Sequence, residues 1–575
     1  MSSTKQNNTA PSSNVEAIGI WAFVTVAVTA MATAWSSTHL AATIDNTTAP
    51  PANPFTLLFG IFGGTVAWTT TATKVAISVG VALLAVFALI GFLILKLTNR
   101  GSRIDRAARH MGRGRGIHSL TAKGAGEVAK RLGVGVGTEP GLQIGKAVYN
   151  GKPLYQDWES TSVDVWGTRT GKSSTRAIPA IMAAPGAVIA TSNKRDLVDA
   201  THQPRAEKGE VWVFDPQSIA GVPPTWWWNP LSFVTDESKA MTLGSLFIGA
   251  SREPGARTDA FVDGQVRNLI SSLLLAAAVG NKPITDVYVW LSRPNDDEPL
   301  KILERADYPM QAVTLSGITT SPEKQRGGVY GTAQLIMSFL ANSKVSAWVT
   351  PPDRAGVRQF HPAQFVRSTD TLHSLSKESD GADAGPLITA LTATICEAAE
   401  DYAKTSPNGR LPVPMVVVLD EAANVCRWNQ LPNLYSHYGS RGINILTFLQ
   451  SWSQGVDAWG TGMTKMWEAA NVAVYGGGAT EIQFLEMLSQ VIGDYQHVET
   501  STSHQPGGGR STSRQRRIDR ILDVADLSSL PRGRFVVLAS GSVPTLGRTQ
   551  PWYEGKHKDA IEASIAAHTV QIAHG

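Results

Sequence analysis

The sequence predicts an α/β fold: a parallel sheet that carries a phosphate-binding loop, with an all-α segment inserted into it and two apolar helices ahead of it. Three observations carry this. A short strand pattern, Val163-Asp164-Val165, runs into the small-residue turn Gly167-Thr168-Arg169-Thr170-Gly171-Lys172-Ser173-Ser174. Apolar strand patterns then alternate with helical ones, which is the signature of a parallel sheet with crossover helices. Two uncharged apolar runs, 17–35 and 75–95, each have about the 20 residues that span a hydrocarbon core.

Composition fits this outline. The chain has 575 residues, enough for several domains, and only 17% of them are charged, against roughly 25% in typical soluble domains. The net charge of +4 is too small to make the whole chain a polyanion binder, so any basic surface must be local. Cys396 and Cys426 are the only cysteines, with no CxxC spacing, which argues against a disulfide framework or a structural zinc site and for buried reduced thiols.

Taken in order, residues 1–16 are rich in Ser, Asn and Thr and read as disordered. The runs 17–35 and 75–95 read as transmembrane helices joined by an extracytoplasmic loop, 36–74. Lys96, Arg100, Arg103, Arg106, Arg109, Arg113 and Arg115 follow the second run, and Lys74 stands alone in the loop. The positive-inside rule therefore predicts a cell-membrane protein with both termini in the cytoplasm, and a basic flank that anchors it on anionic lipid.

The segment 96–150 reads as a basic, Gly-rich linker with small strands. Residues 151–234 hold the first part of the nucleotide-binding domain, with a helix that should break at Pro179. From 235 to 346 helical spacing dominates (Val266, Leu269, Ile270, Leu273, Leu274), predicting the inserted all-α domain. The sheet resumes in 347–575 with strands at 415–419, 444–448, 472–475 and 535–538, while the Ser-, Gly- and Arg-rich 501–517 reads as a mobile loop.

The chemistry follows from strand ends. In a phosphate loop the backbone N–H groups of Gly167 to Ser174 face polyphosphate oxygens, Lys172 sits on the β- and γ-phosphates, and Ser173 ligates Mg²⁺. Trp166 stands where the loop's first glycine is usual, with Gly167 one position late. Such a loop needs an acidic partner, and Leu419-Asp420-Glu421 supplies one about 250 residues later, expected on an adjacent central strand. Asp420 would hold the metal shell and Glu421 would polarise the attacking water. Gln450, ending the next strand, is a candidate γ-phosphate sensor. Arg441 is a candidate arginine finger acting across a subunit boundary. ATP and Mg²⁺ are the cofactors this set predicts.

These motifs resemble a family. Gly171-Lys172-Ser173 with Pro179, Ser192-Asn193-Lys194 with Asp196, and Phe214-Asp215-Pro216 with Trp228-Asn229-Pro230 are similar to type IV secretion coupling proteins of the TraG/TraD type. So are Asp420-Glu421 and Arg441-Gly442-Ile443 leading to Gln450-Ser451-Trp452-Ser453-Gln454. The resemblance covers roughly residues 150–550. It implies a RecA-like motor with an inserted all-α domain, a homo-hexamer at the membrane, and delivery of a relaxase-bound single DNA strand to the secretion channel subunits. It also implies sequence-independent DNA contacts. Two alternatives stay open: a double-stranded DNA translocase of the FtsK/HerA type, and a protein-substrate receptor whose ATP binding only assembles the ring.

Overall fold

The computed structural model describes residues 12–98, 102–135, 138–252, 259–352, 356–377, 383–504 and 510–573. The chain forms two compact units, 1–102 and 103–575. Of the stretch 1–16 expected to be disordered, residues 1–11 lie outside the described residues and 12–16 are helical.

The first unit contains three helices, α1 (Ser12–Ile44), α2 (Pro54–Phe62) and α3 (Thr70–Thr98). Asn53 caps α2 by accepting from the Phe55 N–H at 2.9 Å, and Thr71 donates to Asp45 at 2.9 Å, tying the start of α3 to the end of α1. The apolar runs 17–35 and 75–95 lie inside α1 and α3. Many of their side chains fall outside the described residues, and among the described residues no helix is long and apolar enough to cross a membrane. The two spans expected from the sequence are therefore not found there.

The second unit is built on an eleven-stranded sheet. Its chain begins with β1 (Leu142–Ala147), β2 (Pro153–Gln156), β3 (Ser162–Val165), β4 (Val188–Ser192) and β5 (Val211–Phe214). A small parallel pair follows, β6 (Trp226–Trp228) with β7 (Arg358–Phe360). The main sheet then takes β8 (Thr371–Leu375), β9 (Met415–Leu419), β10 (Ile443–Leu449) and β11 (Val472–Tyr475). A separate hairpin, β12 (Asp494–His504) and β13 (Arg510–Arg520), precedes β14 (Arg534–Ala539) and β15 (Thr545–Arg548).

The order across the sheet is β2-β1-β15-β14-β11-β3-β10-β9-β4-β8-β5. The seven strands from β11 to β5 are all parallel, and the four from β2 to β14 extend them antiparallel. The parallel strands are apolar on both faces, as in Met415-Val416-Val417-Val418-Leu419, because crossover helices cover both sides. The Gly-rich segment before the loop thus supplies sheet strands, β1 and β2, at the antiparallel edge.

Between β6 and β7 the described residues are helical, from Glu237–Ser251 to Ser343–Ser346, around the long helix Ala260–Val279. The spacing noted in the sequence buries Val266, Leu269, Ile270, Leu273 and Leu274, and these side chains are continuous with the core under the sheet. Cys396 and Cys426 are free and buried, and burial raises both thiols, the latter to about 12.

The expected loop at 501–517 is instead part of the hairpin, paired through eleven positions from Asp494↔Arg520 to His504↔Arg510. Alternating Val498, Thr500 and Thr502 favour strand, and the glycines of the tip lie outside the described residues.

Candidate functional site

β3 delivers the phosphate loop at its C-terminal end. Thr168 and Arg169 are exposed at the apex, Arg169 is left-handed at φ 60°, and Gly171 sits at φ 93°, where a side chain would be strained. Thr170 closes the loop by donating to the Gly167 carbonyl at 2.6 Å. Ser174 and Thr175 donate to the Gly171 carbonyl at 3.0 and 2.9 Å. The helix then starts as a π turn, Ser173–Ala177, and continues as α over Ile178–Ala183. The change of winding falls at Pro179, which has no N–H to give to the preceding turn.

Trp166 does not obstruct this loop. Its ring is fully buried and packs on Gly476, where a Cβ would come within 2.0 Å of Trp166 Cε3. Its backbone N–H donates to the Leu449 carbonyl at 2.9 Å, and Gly167 N–H donates to the Gly477 carbonyl at 2.9 Å. The chain therefore moves the close-approach glycines to Gly476-Gly477-Gly478 at the end of neighbouring β11, and uses the loop's first position for core packing.

Beneath the loop lies a buried ion pair. Arg176 Nε donates to Asp164 Oδ2 at 2.9 Å, and both side chains are fully buried. The guanidinium also donates to the Gln143 carbonyl at 3.2 Å and to Gln156 Oε1 at 3.2 Å. It thus fastens the first turn after the loop to β3, β1 and β2. Nothing in the local motif points to this residue; only the apolar context of Asp164 within a strand hints that it needs a partner.

The acidic partner arrives from β9. Lys172 Nζ lies 2.8 Å from Asp420 Oδ1 and 2.8 Å from Glu421 Oε1, and Gln450 Nε2 donates to Glu421 Oε2 at 2.6 Å. Thr191, at the end of β4, donates to the Asp420 carbonyl at 3.3 Å. Five residues from four parallel strand ends thus converge at one edge, where ligands of such sheets bind. One expectation is corrected. Lys172 and Asp420-Glu421 do not come from adjacent strands: β10 lies between β3 and β9, so Gln450 is the central member.

Burial alone would lower the Lys172 ammonium, but the Asp420 and Glu421 carboxylates outweigh it and hold it above its usual range. Burial pushes the Asp420 carboxyl up, against the pull of Lys172. Asp196, at the start of the helix after β4, adds like charge to Asp420 and attraction to Lys172. Glu421 itself is left-handed at φ 54°, ψ 42°, a conformation a non-glycine residue holds only when its surroundings impose it.

Arg441 is not part of this cluster. It ends the helix Leu431–Arg441 before β10, at the strand edge opposite Gln450, about 20 Å away by strand rise. Its guanidinium donates to the Gly409 carbonyl at 2.8 Å. Sequence reading missed a different arginine: Arg532, before β14, donates to the Arg169 carbonyl at 2.7 Å and so lies at the loop's rim.

The Asp420 carboxylate and the Ser173 hydroxyl are hard oxygen donors of the kind Mg²⁺ takes, beside an ammonium suited to phosphate. Among the described residues no set of three or more acidic, His or Cys side chains forms a ready metal cage.

Fold and site together define a phosphate-loop nucleotide-binding protein on a parallel sheet. Residues 414–532 match the family model described as the TraM recognition site of TraD and TraG. The fold is similar to that of the conjugative coupling protein TrwB in its unbound form, at 14% identity over 74% of this chain and 91% of that one, with a TM-score of 0.52. It is similar also to TrwB with ADP and Mg²⁺ (15% identity, 70% and 87% covered, TM-score 0.51). TrwB with a non-hydrolysable ATP analogue gives 14% identity, 70% and 88% covered, and a TM-score of 0.52. No curated protein sequence matches the chain. The family model thus covers residues 414–532, and the likeness to TrwB is one of fold.

Proposed function

We propose that the chain is a membrane-anchored ATPase that couples ATP hydrolysis to the recruitment and translocation of a relaxase-bound DNA strand into a type IV secretion channel. The observation that carries this is the convergence of Lys172 with Asp420, Glu421 and Gln450 at one sheet edge, the last three inside residues 414–532, which match the TraD/TraG model. The TrwB structures with ADP and Mg²⁺ and with an ATP analogue support ATP and Mg²⁺ as the ligands.

In this reading the loop's N–H groups bind the phosphates, and Lys172 exchanges its carboxylate partners for phosphate oxygens. Mg²⁺, when bound, would be held by Ser173 and the Asp420 shell and would supply charge neutralisation. Glu421, released from Lys172 and held by Gln450, orients and deprotonates the attacking water. A homo-hexamer in the cell membrane, cytoplasmic termini, and contacts to channel subunits complete the proposal. Arg441 as a finger would serve a neighbouring subunit's nucleotide.

The test is a mating assay with parallel ATPase measurements on wild type, Lys172→Ala and Glu421→Gln. Loss of transfer and of hydrolysis together supports the motor. Undiminished transfer by Lys172→Ala would instead favour the receptor reading.

A further inference from the structure

Among the described residues the hairpin of β12 and β13 pairs with no other strand. Residues opposite each other in its register share a face. One face is already occupied. There Arg517 donates to Asp519 at 3.1 Å and pairs with Glu499 at 3.5 Å, and the Tyr495 ring stacks on His110 at 4.1 Å, which joins the arm to the body of the unit. The other face carries Arg514, Arg516, Ile518 and Arg520, with Val498 opposite Arg516 and Asp494 opposite Arg520. Arg520 is matched by Asp494 at 2.9 Å. Arg514 and Arg516 are exposed and, among the described residues, have no carboxylate partner.

We propose that this face of the arm is a contact surface for the phosphate backbone of DNA, read without regard to base. The inference rests on the DNA-transfer reading above. Arg514 and Arg516 stand two positions apart on one strand, about 6.6 Å by strand rise, close to twice the 3.4 Å advance per nucleotide of one DNA strand. The two guanidinium groups thus form a line matched to every second phosphate of a strand. Every basic side chain of 494–520 other than its histidines is arginine, whose planar fork takes two phosphate oxygens at once. The exposed Val498 and Ile518 beside them offer apolar surface to the sugars. Among the described residues this face carries no Trp or Tyr of the kind that anchors at a lipid surface.

The test uses the full chain in detergent and a short fluorescein-labelled single strand, with anisotropy followed across a salt series. The double variant Arg514→Gln, Arg516→Gln should raise Kd about tenfold at low salt. It should flatten the dependence of log K on log salt by about 1.4, two single-strand phosphate contacts. Basal ATPase should be unchanged, because neither residue contacts Lys172, Asp420, Glu421 or Gln450. Arg517→Gln, on the occupied face, should change neither affinity nor slope. Wild type that binds DNA with a double variant of equal affinity and slope overturns the arm alone. Wild type that binds no DNA overturns the arm and the DNA-transfer reading together. Loss of binding to anionic vesicles in the double variant, with DNA affinity kept, overturns the proposal in favour of a lipid contact.

Discussion

Trp166 and Gly476 are a matched pair: the indole lies flat where any side chain at 476 would have to stand, with Cε3 only 2.0 Å from the Cβ position. Gly476→Ala should therefore destabilise the protein by about 1–3 kcal/mol, the usual penalty of overpacking a filled core. Trp166→Gly restores the customary loop glycine yet should be worse, about 3–5 kcal/mol, because it empties a fully buried site. Denaturant midpoints of the two variants decide this. A Trp166→Gly protein as stable as wild type would mean the ring is not core.

Removing Glu421 and removing Gln450 should separate by kinetics. Glu421→Gln keeps the side chain's shape and its backbone but removes the base, so hydrolysis should fall about 10²–10⁴-fold while nucleotide is still bound. Gln450→Ala frees Glu421 from its 2.6 Å partner, and a smaller loss is expected. Single-turnover hydrolysis with a fluorescent ATP analogue as binding control measures both.

Breaking the Arg176–Asp164 pair should unseat the loop. Arg176→Met leaves Asp164 charged and buried, at a cost of about 3–5 kcal/mol. Replacing both at once, Asp164→Asn with Arg176→Met, should recover part of it. A double-mutant cycle on thermal unfolding gives the coupling directly.

Stability should fall with acid through His373. This β8 side chain is fully buried, and burial lowers it to about 3 from 6.5, with the Thr201 hydroxyl 3.2 Å from Nε2. A folded value below the unfolded one means the neutral ring's contribution is complete above pH 6.5 and is lost as pH drops toward 3. The slope approaches 1.4 kcal/mol per pH unit, so about 2 kcal/mol should go between pH 6.5 and 5. His373→Asn should lack that component in urea melts. A wild-type stability flat from pH 7 to 5 would contradict it.

Much of the site was legible because phosphate chemistry demands fixed residue types at strand ends. Gly171-Lys172-Ser173, Asp420-Glu421 and Gln450 do meet. What was not legible depends on order across the sheet. Sequence proximity cannot say that β10 inserts between β3 and β9, nor that an early glycine could be replaced by one on β11. Arg441 sits just before a parallel strand, at the edge opposite its own chain's site, so the role read for it is one toward a neighbouring subunit. The hairpin was hidden because both its faces are polar, so its two-residue period lacked apolar contrast.

The clasp of Lys172 between two carboxylates sets the charge balance that a ligand of this site has to replace. A polyphosphate arriving alone could win the ammonium only by facing Asp420 and Glu421 uncompensated, and a divalent cation alone would meet a lysine already at its post. Only the two together exchange every charge for a better partner. A ligand that answers this clasp has to bring both signs of charge.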